Sequence, residues 1–178
     1  MRAEILVPST SQLHMLSGRR RRSGRDGLKV RAPLAPAVAD RVQKAVTAVG
    51  FTLASGRIDV GGSLDMKHAP EGADLGVALA ALLADPAHQF LRREEVVAWG
   101  RLNADGTVHG AGRQLVRDLP TDPWIGRFSW PPTWVANQQP VLSLIDISRL
   151  DQAWEAMLRL NEIERVLDIE RKALAEQQ

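Results

Sequence analysis

The sequence predicts a single α/β domain that ends in a long C-terminal helix. With 178 residues the chain can form one domain with an ordinary hydrophobic core, and two full domains are not expected. Short apolar segments typical of strands alternate along the chain with segments that have helical spacing. Residues 148–178 have the periodicity of one long helix, which favours an α/β fold with a helical extension.

The N-terminal third predicts three strands and one amphipathic helix. Residues 3–7 and 12–16 read as short strands, and residues 28–32 alternate apolar and basic side chains as an edge strand would. The Arg-rich residues 17–27 then fall in a loop between two strands. A helix follows, because apolar residues recur at helical spacing up to a glycine that ends it: Val38, Val42, Ala45, Val46, Val49 and Gly50.

The central part predicts a buried helix between strands. Residues 51–60 indicate a strand with a bend, and residues 71–83 carry acids in a first helical turn followed by almost nothing but Ala, Leu and Val. Residues 96–108 predict a hairpin with a Gly-bearing turn, and residues 141–145 a buried strand. Ser148, with Asp151 three residues later, predicts a capping box that opens the terminal helix.

Composition excludes several classes of site. The chain has no Cys, so it forms no disulfide and no thiolate metal site, and its four scattered His do not favour zinc. No apolar stretch has the length of a signal peptide or a membrane span. We therefore expect a soluble cytoplasmic protein with no metal and no cofactor.

The small net charge of +2 hides a strongly basic segment. Residues 19–31 contain seven basic residues and one acid, which gives +6 and leaves −4 for the rest of the chain. Such a segment suits salt-dependent contacts with nucleic-acid phosphates, although a solubilising loop would have the same composition. The candidate nucleic-acid-binding residues are Arg19, Arg20, Arg21, Arg22, Arg25 and Lys29.

The segment Pro70 to Leu83 resembles the start of the central helix in the Lon protease domain. It is also similar to the Lon-like N-terminal domain of ComM/magnesium-chelatase-like ATPases, in which Pro-(Lys/Glu)-(Asp/Glu)-Gly precedes a buried helix. Gly50-Phe51 and the hairpin from Gly100 to Gly106 are similar to further segments of that family, in the same order. This resemblance covers residues 10–160, roughly. It implies the ribosomal protein S-five domain-two-like fold, an α/β two-layer sandwich spanning residues 1–160, with residues 161–178 as a helical extension.

The resemblance also implies that the protein is not a peptidase. In Lon the catalytic Ser sits where Asp74 stands in this chain, and the ComM-like branch also carries Asp. Lon chemistry needs a Ser activated by a neutral Lys, and residues 112–115 after the hairpin contain no Lys. Arg101 replaces the usual acid of the hairpin, and residues 118–132 are too broken by prolines for the helix that the relatives have there. We expect Asp74 to satisfy backbone donors at the helix start.

Other groupings keep an enzyme with an unfamiliar site open as an alternative. Ser63 with Lys67 and His68 could supply a nucleophile and a base, and a solvated loop would look the same. Paired carboxylates could come from Asp65, Glu71 and Asp74, with helix capping as the competing interpretation. His109 is expected to be a surface residue at a strand end.

Two segments suggest contacts with a protein partner. Residues 118–139 are rich in Pro and hold Trp124, Trp130 and Trp134, which either pack over an edge of the domain or form an exposed contact surface. The terminal helix repeats apolar residues at heptad spacing, which favours a partner helix or self-association beyond residue 160. The residues of this repeat are Ala153, Ala156, Leu160, Ile163, Leu167 and Leu174.

A P-loop of the form Gly-x-x-x-x-Gly-Lys-Ser/Thr is missing, so the sequence has no ATPase motif of its own. The resemblance implies a non-catalytic Lon/ComM-like binding module that contacts nucleic acid, a protein partner or both. Because ComM-like proteins act on DNA, it also implies an accessory factor in DNA processing. The protein partner could be an ATPase supplied in trans. The alternatives are an enzyme with a non-standard site on the same scaffold, and a scaffold protein that only oligomerises.

Overall fold

A computed structural model describes residues 4–8, 13–21, 27–30, 36–53, 56–63, 71–88, 95–111, 124–127 and 144–177. The strands in these residues are β1 (Glu4–Pro8), β2 (Leu13–Arg21), β3 (Gly27–Val30), β4 (Arg57–Gly62), β5 (Glu95–Trp99), β6 (Arg101–Leu102), β7 (Val108–His109), β8 (Trp124–Gly126) and β9 (Leu144–Asp146). The α-helices are α1 (Pro36–Ala48), α2 (Asp74–Leu83) and α3 (Leu150–Glu176). The predicted mixed α/β class is confirmed.

Seven of these strands form one mixed sheet in the order β3-β4-β2-β1-β5-β8-β9. Strand β2 is antiparallel to both of its neighbours, β1 and β4, whereas β3 runs parallel to β4. On the other side β1, β5, β8 and β9 pair in parallel. Strands β6 and β7 form a separate hairpin.

Helix α2 lies at the centre of the core. It contacts β1, β2, β4 and β5, and every residue from Ala73 to Leu82 is buried. A helix that is apolar on all sides is stable only when it is enclosed, and the sheet and α1 enclose this one. The predicted buried helix is confirmed. Helix α1 packs beside it through Val42, Ala45 and Val46.

Several sequence predictions fail at the ends of elements. Strand β2 continues to Arg21, so the predicted loop at residues 17–27 is wrong for residues 17–21 and for Gly27, which begins β3. Residues 51–53 form no strand. Helix α3 begins at Leu150, and the side chain that accepts the backbone N–H groups of Ser148 and Arg149 is Gln152 rather than Asp151. The predicted boundaries rest on local composition alone. In the structure, pairing with β4 determines where β2 and β3 extend, and the hydrogen bonds of Gln152 determine the start of α3.

Helix α3 is half inside and half outside the folded core. It has 27 residues, and at 1.5 Å per residue it is about 40 Å long. Its N-terminal half buries Leu150, Ala153 and Trp154 in the core, and Asn161 is the last buried residue among the α3 side chains that the structure describes. Among the described residues, no helix is both long enough and apolar enough to cross a membrane.

The contact between α2 and β2 depends on a glycine. A Cβ atom placed at Gly18 would collide with the backbone carbonyl of Ala80 and would come within 3.1 Å of the Ala84 Cβ. Because the obstacle is helix backbone rather than a flexible side chain, it could be relieved only by moving the helix or the strand. Gly18 therefore sets how closely α2 approaches the sheet.

Replacing Gly18 with Ala is expected to lower the free energy of unfolding by about 1–3 kcal/mol, the usual cost of overpacking a core. Urea unfolding followed by circular dichroism measures this loss. The neighbouring exposed Ser17 provides the control, since Ser17→Ala should change stability by less than about 0.5 kcal/mol. Equal stability of Gly18→Ala and wild type would show that α2 and β2 do not approach this closely.

Candidate nucleic-acid interface

Strand β2 places two of its arginines on the sheet face opposite the helices. Leu16 and Gly18 are buried toward α2, so the alternation of side chains along a strand puts Arg19 and Arg21 on the other face. Both of these arginines are exposed. Residues 17–21, which the sequence predicts as part of a basic loop, thus belong to a strand whose outer face is basic.

Strand register adds residues of β4 and β3 to this surface. Arg19 lies opposite Asp59 across the β2–β4 pair, and Arg21 lies opposite Arg57. On the far side of β4, the parallel pairing with β3 sets Lys29 beside Asp59. We call Arg19, Arg21, Arg57 and Asp59 the basic face, with Lys29 at the adjoining register position.

Asp59 holds two arginines of the basic face. The Nε of Arg21 lies 2.8 Å from one of its carboxylate oxygens, and the Nε of Arg57 donates to the other at 2.7 Å. The side chains of Arg21 and Arg57 remain 56% and 37% exposed, whereas that of Asp59 is 23% exposed. The cations are thus more accessible than the acid that orients them. With one acid against three arginines, the basic face keeps a positive charge.

Arg19 makes no hydrogen bond or ion pair with any residue that the structure describes. Arg21 and Arg57 each engage Asp59 through Nε, which leaves the terminal nitrogens of both guanidinium groups for another acceptor. Guanidinium groups in a fixed plane bind phosphate with good geometry, because two parallel N–H groups match two phosphate oxygens. The basic face therefore has the chemistry of an anion-binding surface.

The structure separates the sequence-predicted basic residues. It brings Arg19 and Arg21 together and puts half-buried Arg20 on the helix side of the sheet. Arg22 and Arg25 lie outside the described residues. Arg57 was not among the predicted binding residues. The sequence does carry a pattern that could have identified Arg57. Polar and apolar residues alternate over residues 57–60, which places Arg57 and Asp59 on one face of a strand.

Asp74 occupies a different environment, buried between three elements. It is the first residue of α2, and one of its oxygens accepts from Arg41 Nη2 at 2.8 Å and from the Leu102 backbone N–H at 3.3 Å. These donors belong to α1 and β6 and not to the first turn of α2, so the expectation that Asp74 satisfies donors at the helix start is wrong. Burial raises the pKa of the Asp74 carboxyl above its ordinary value, and the Arg41 guanidinium and the Leu102 amide offset part of that effect.

The other catalytic candidates do not assemble around Asp74. The Glu71 side chain is 72% exposed and, among the described residues, its carboxylate reaches only Arg101 Nη1, at 3.9 Å, whereas Asp74 is buried. Asp65 lies outside the described residues. Within the described segments, no group of three or more His, Asp or Glu side chains could hold a metal ion.

Ser63 lies beside a histidine that the sequence analysis did not consider. Its Oγ accepts the Met15 backbone N–H at 3.0 Å and lies 3.5 Å from His14 Nδ1. The proposed partners Lys67 and His68 lie outside the described residues. His109 is exposed at the end of β7, as expected, with its Nε2 at 3.5 Å from Thr107 Oγ1.

The predicted partner-binding residues fall into three groups. Trp124 is fully buried in β8, where it packs with Leu6 and Val97, so its assignment to an exposed contact surface is wrong. Prolines around it suggested a loop, but the strand encloses it in the sheet. Trp130 and Trp134 lie outside the described residues. Along α3, Leu160 packs partly against the core, and three predicted residues are exposed: Ile163, Leu167 and Leu174.

Replacing Arg41 with Met should lower the free energy of unfolding by about 2–3 kcal/mol, because it leaves a buried carboxylate without its cation. This figure is below the usual range for a broken buried pair because the Arg41 side chain is 32% exposed. Adding Asp74→Asn to Arg41→Met should restore part of the lost stability, since it removes the uncompensated charge. Chemical denaturation of the two single variants and the double variant measures this coupling, and strictly additive losses would contradict it.

Acidification should stabilise the wild type relative to Asp74→Asn. A carboxyl whose pKa is raised in the folded state binds its proton more tightly there, so its favourable contribution is complete below the ordinary value of 3.8. The stabilisation that the protonated Asp74 carboxyl gives the folded protein is lost as the pH rises through its folded-state pKa. Urea unfolding of both proteins between about pH 7 and pH 3 measures the difference. A relative stability that falls on acidification would mean that Arg41 dominates and lowers the pKa.

Comparisons with known proteins give no family for this chain. No protein-family model matches the sequence, and no curated protein matches it.

Proposed function

We propose that this protein is a non-catalytic binding module that contacts nucleic acid through the basic face. The observation that supports this function is the arrangement of three arginines on two adjacent strands, where two of the arginines pair with one shared carboxylate. The Lon/ComM-like resemblance, with its two-layer sandwich, adds a setting, since ComM-like relatives act on DNA during recombination and uptake. In that setting the module is an accessory factor beside an ATPase supplied in trans.

The basic face suits a phosphate backbone rather than base edges. Arg19 and Arg21 are two residues apart on one strand, which spaces their Cα atoms by about 6.6 Å. Arg57 lies on the neighbouring strand opposite Arg21. The described part of this face carries no aromatic side chain on which a base could stack. Contacts of this kind position a nucleic acid without reading its sequence.

Asp59 strengthens such a surface although it is an acid. By accepting from Arg21 and Arg57 it restricts both side chains before any ligand arrives, so less conformational entropy is lost on binding. The cost is one negative charge, and the three arginines still outnumber it. A phosphate could bind the terminal nitrogens of Arg21 and Arg57 without displacing Asp59, because Asp59 engages only their Nε atoms.

The alternative of an enzyme built around Asp74 has less support. The carboxylate is 4% exposed and accepts from both Arg41 and Leu102, contacts that serve to join α1, α2 and β6. A catalytic acid must touch its substrate, and a group this enclosed would first have to lose its partners. We therefore assign Asp74 to the stability of the fold.

The test is the binding of fluorescent single- and double-stranded DNA and RNA across a salt series. If three arginines each neutralise one phosphate, the logarithm of the association constant should fall with log salt at a slope of about −2 to −3. Arg19→Gln should reduce the magnitude of that slope by about 0.7–0.9. This variant is the cleanest one, because Arg19 has no ion pair to lose within the described structure.

Arg159→Gln is the matched control, because Arg159 is an exposed arginine on α3, away from the sheet. It removes the same charge and should leave the slope unchanged. Equal effects of the two variants would mean that only net charge matters, and no binding at low salt would refute the proposed function. Substituting Arg19, Arg21 and Arg57 together should abolish binding.

A further inference from the structure

The C-terminal half of α3 carries an apolar stripe that nothing in the described structure covers. Ile163 is 57% exposed, Val166 46%, Leu167 43% and Leu174 62%. On a helix these four residues lie along one side, since they are three, four and seven residues apart. A solvent-exposed helix does not need four large apolar side chains on one side.

This stripe shares heptad positions with part of the helix side that packs on the protein's own core. Ala153, Ala156 and Leu160 face the domain, and the same heptad positions continue outward. The first heptad position falls on residues 153, 160, 167 and 174, and the fourth falls on residues 156, 163 and 170. Residue 170 is Glu, the one charged residue in this repeat beyond the domain. The exposed half therefore has the pattern of a two-helix contact.

We propose that residues 162–176 pair with the same segment of a second copy of this chain, antiparallel, to form a two-helix contact. In the register that aligns the apolar positions, Ile163 of each copy lies opposite Leu174 of the other. Leu167 lies opposite Glu170. Val166 and Ala173 extend the apolar contact along one flank.

Charge favours the antiparallel direction over the parallel one. A parallel pair would place each residue opposite itself, so that two Glu170 carboxylates would meet within the contact. In the antiparallel pair each Glu170 instead lies opposite Leu167 of the other copy, so the two carboxylates fall in different layers of the contact. The same register sets position 164, a glutamate, beside Arg171 of the second copy, twice by symmetry.

The length of the exposed segment fits this register. Among the described side chains of α3, Asn161 is the last buried one, and Glu176 is the last residue of the helix. In the antiparallel pair, Glu176 of one copy lies level with Asn161 of the other. The helix of the second copy therefore ends where the domain of the first copy begins. The two helices can pair over a length of about 22 Å, and the end of neither helix collides with the other copy's domain.

The outer side of the helix needs no partner. Arg165 Nη2 lies 3.9 Å from Glu162 Oε1, and Lys172 Nζ lies 3.1 Å from Asp168 Oδ2. These four charged side chains therefore form ion pairs within one helix. They lie on the side away from the apolar stripe. Ile169, which is 60% exposed, also lies off the stripe.

Sedimentation velocity of the full chain over a range of concentrations, without nucleic acid, tests the proposal. The wild type should form a reversible dimer. Leu167→Glu and Ile163→Glu should each be monomeric over the same range, with unchanged circular dichroism because both positions lie beyond the buried part of α3. Ile169→Glu is the control and should dimerise like the wild type. A monomeric wild type at all concentrations, or equal losses in Leu167→Glu and Ile169→Glu, would overturn the proposal.

Disulfide trapping tests the direction, and it is simple because the chain has no Cys of its own. Leu174→Cys alone should not cross-link under mild oxidation, whereas a mixture of Ile163→Cys and Leu174→Cys chains should give a mixed dimer. Efficient cross-linking of Leu174→Cys with itself would show a parallel pair and overturn the antiparallel arrangement.

Discussion

The ion pair between Arg41 and Asp74 joins two helices, α1 and α2, through side chains that are 33 residues apart in the sequence. Asp74 begins α2, Arg41 belongs to α1, and the same carboxylate oxygen accepts the Leu102 amide of β6. A buried charge is costly unless it is paired, so these contacts must form together or the carboxylate destabilises the fold. Two backbone bonds reinforce the junction, because the Leu75 amide donates to Gly100 and the Gly100 amide to Gly72. The start of the central helix is thereby fixed in position.

The basic face is a consequence of that central helix. Because α2 is apolar all round, it must be enclosed, and β2 approaches it at Gly18 closely enough to leave no room for a side chain. Once Gly18 faces the helix, Arg19 and Arg21 are obliged to face the other way. Pairing with β4 then brings Arg57 and Asp59 to the same surface. The position of these cations is therefore set by the packing of apolar residues on the opposite side of the sheet.

Local patterns in the sequence predicted the helices well and the surface poorly. The all-apolar run of residues 75–83 and the heptads of α3 carry their own signal, and both helices lie where the sequence placed them. The strand character of residues 17–21 was hidden, because four consecutive arginines read as a loop unless their alternation with Leu16 and Gly18 is considered. The partners of Asp74 and Asp59 depend on which elements become neighbours. Arg41 is 33 residues from Asp74 in the sequence, and no local pattern links them.

The ends of the sheet offer little to another chain. At one end lies β3 with four residues, and at the other lies β9 with three. Within the described residues, edge strands this short present few free backbone groups, which disfavours extension of the sheet from one molecule into the next. In the described part of the chain, an encounter between two molecules therefore has little chance of growing by strand addition into an open-ended aggregate. Association is instead favoured through side-chain contacts between helices. A symmetric contact of this kind gives a dimer with no further copy of the same interface left open.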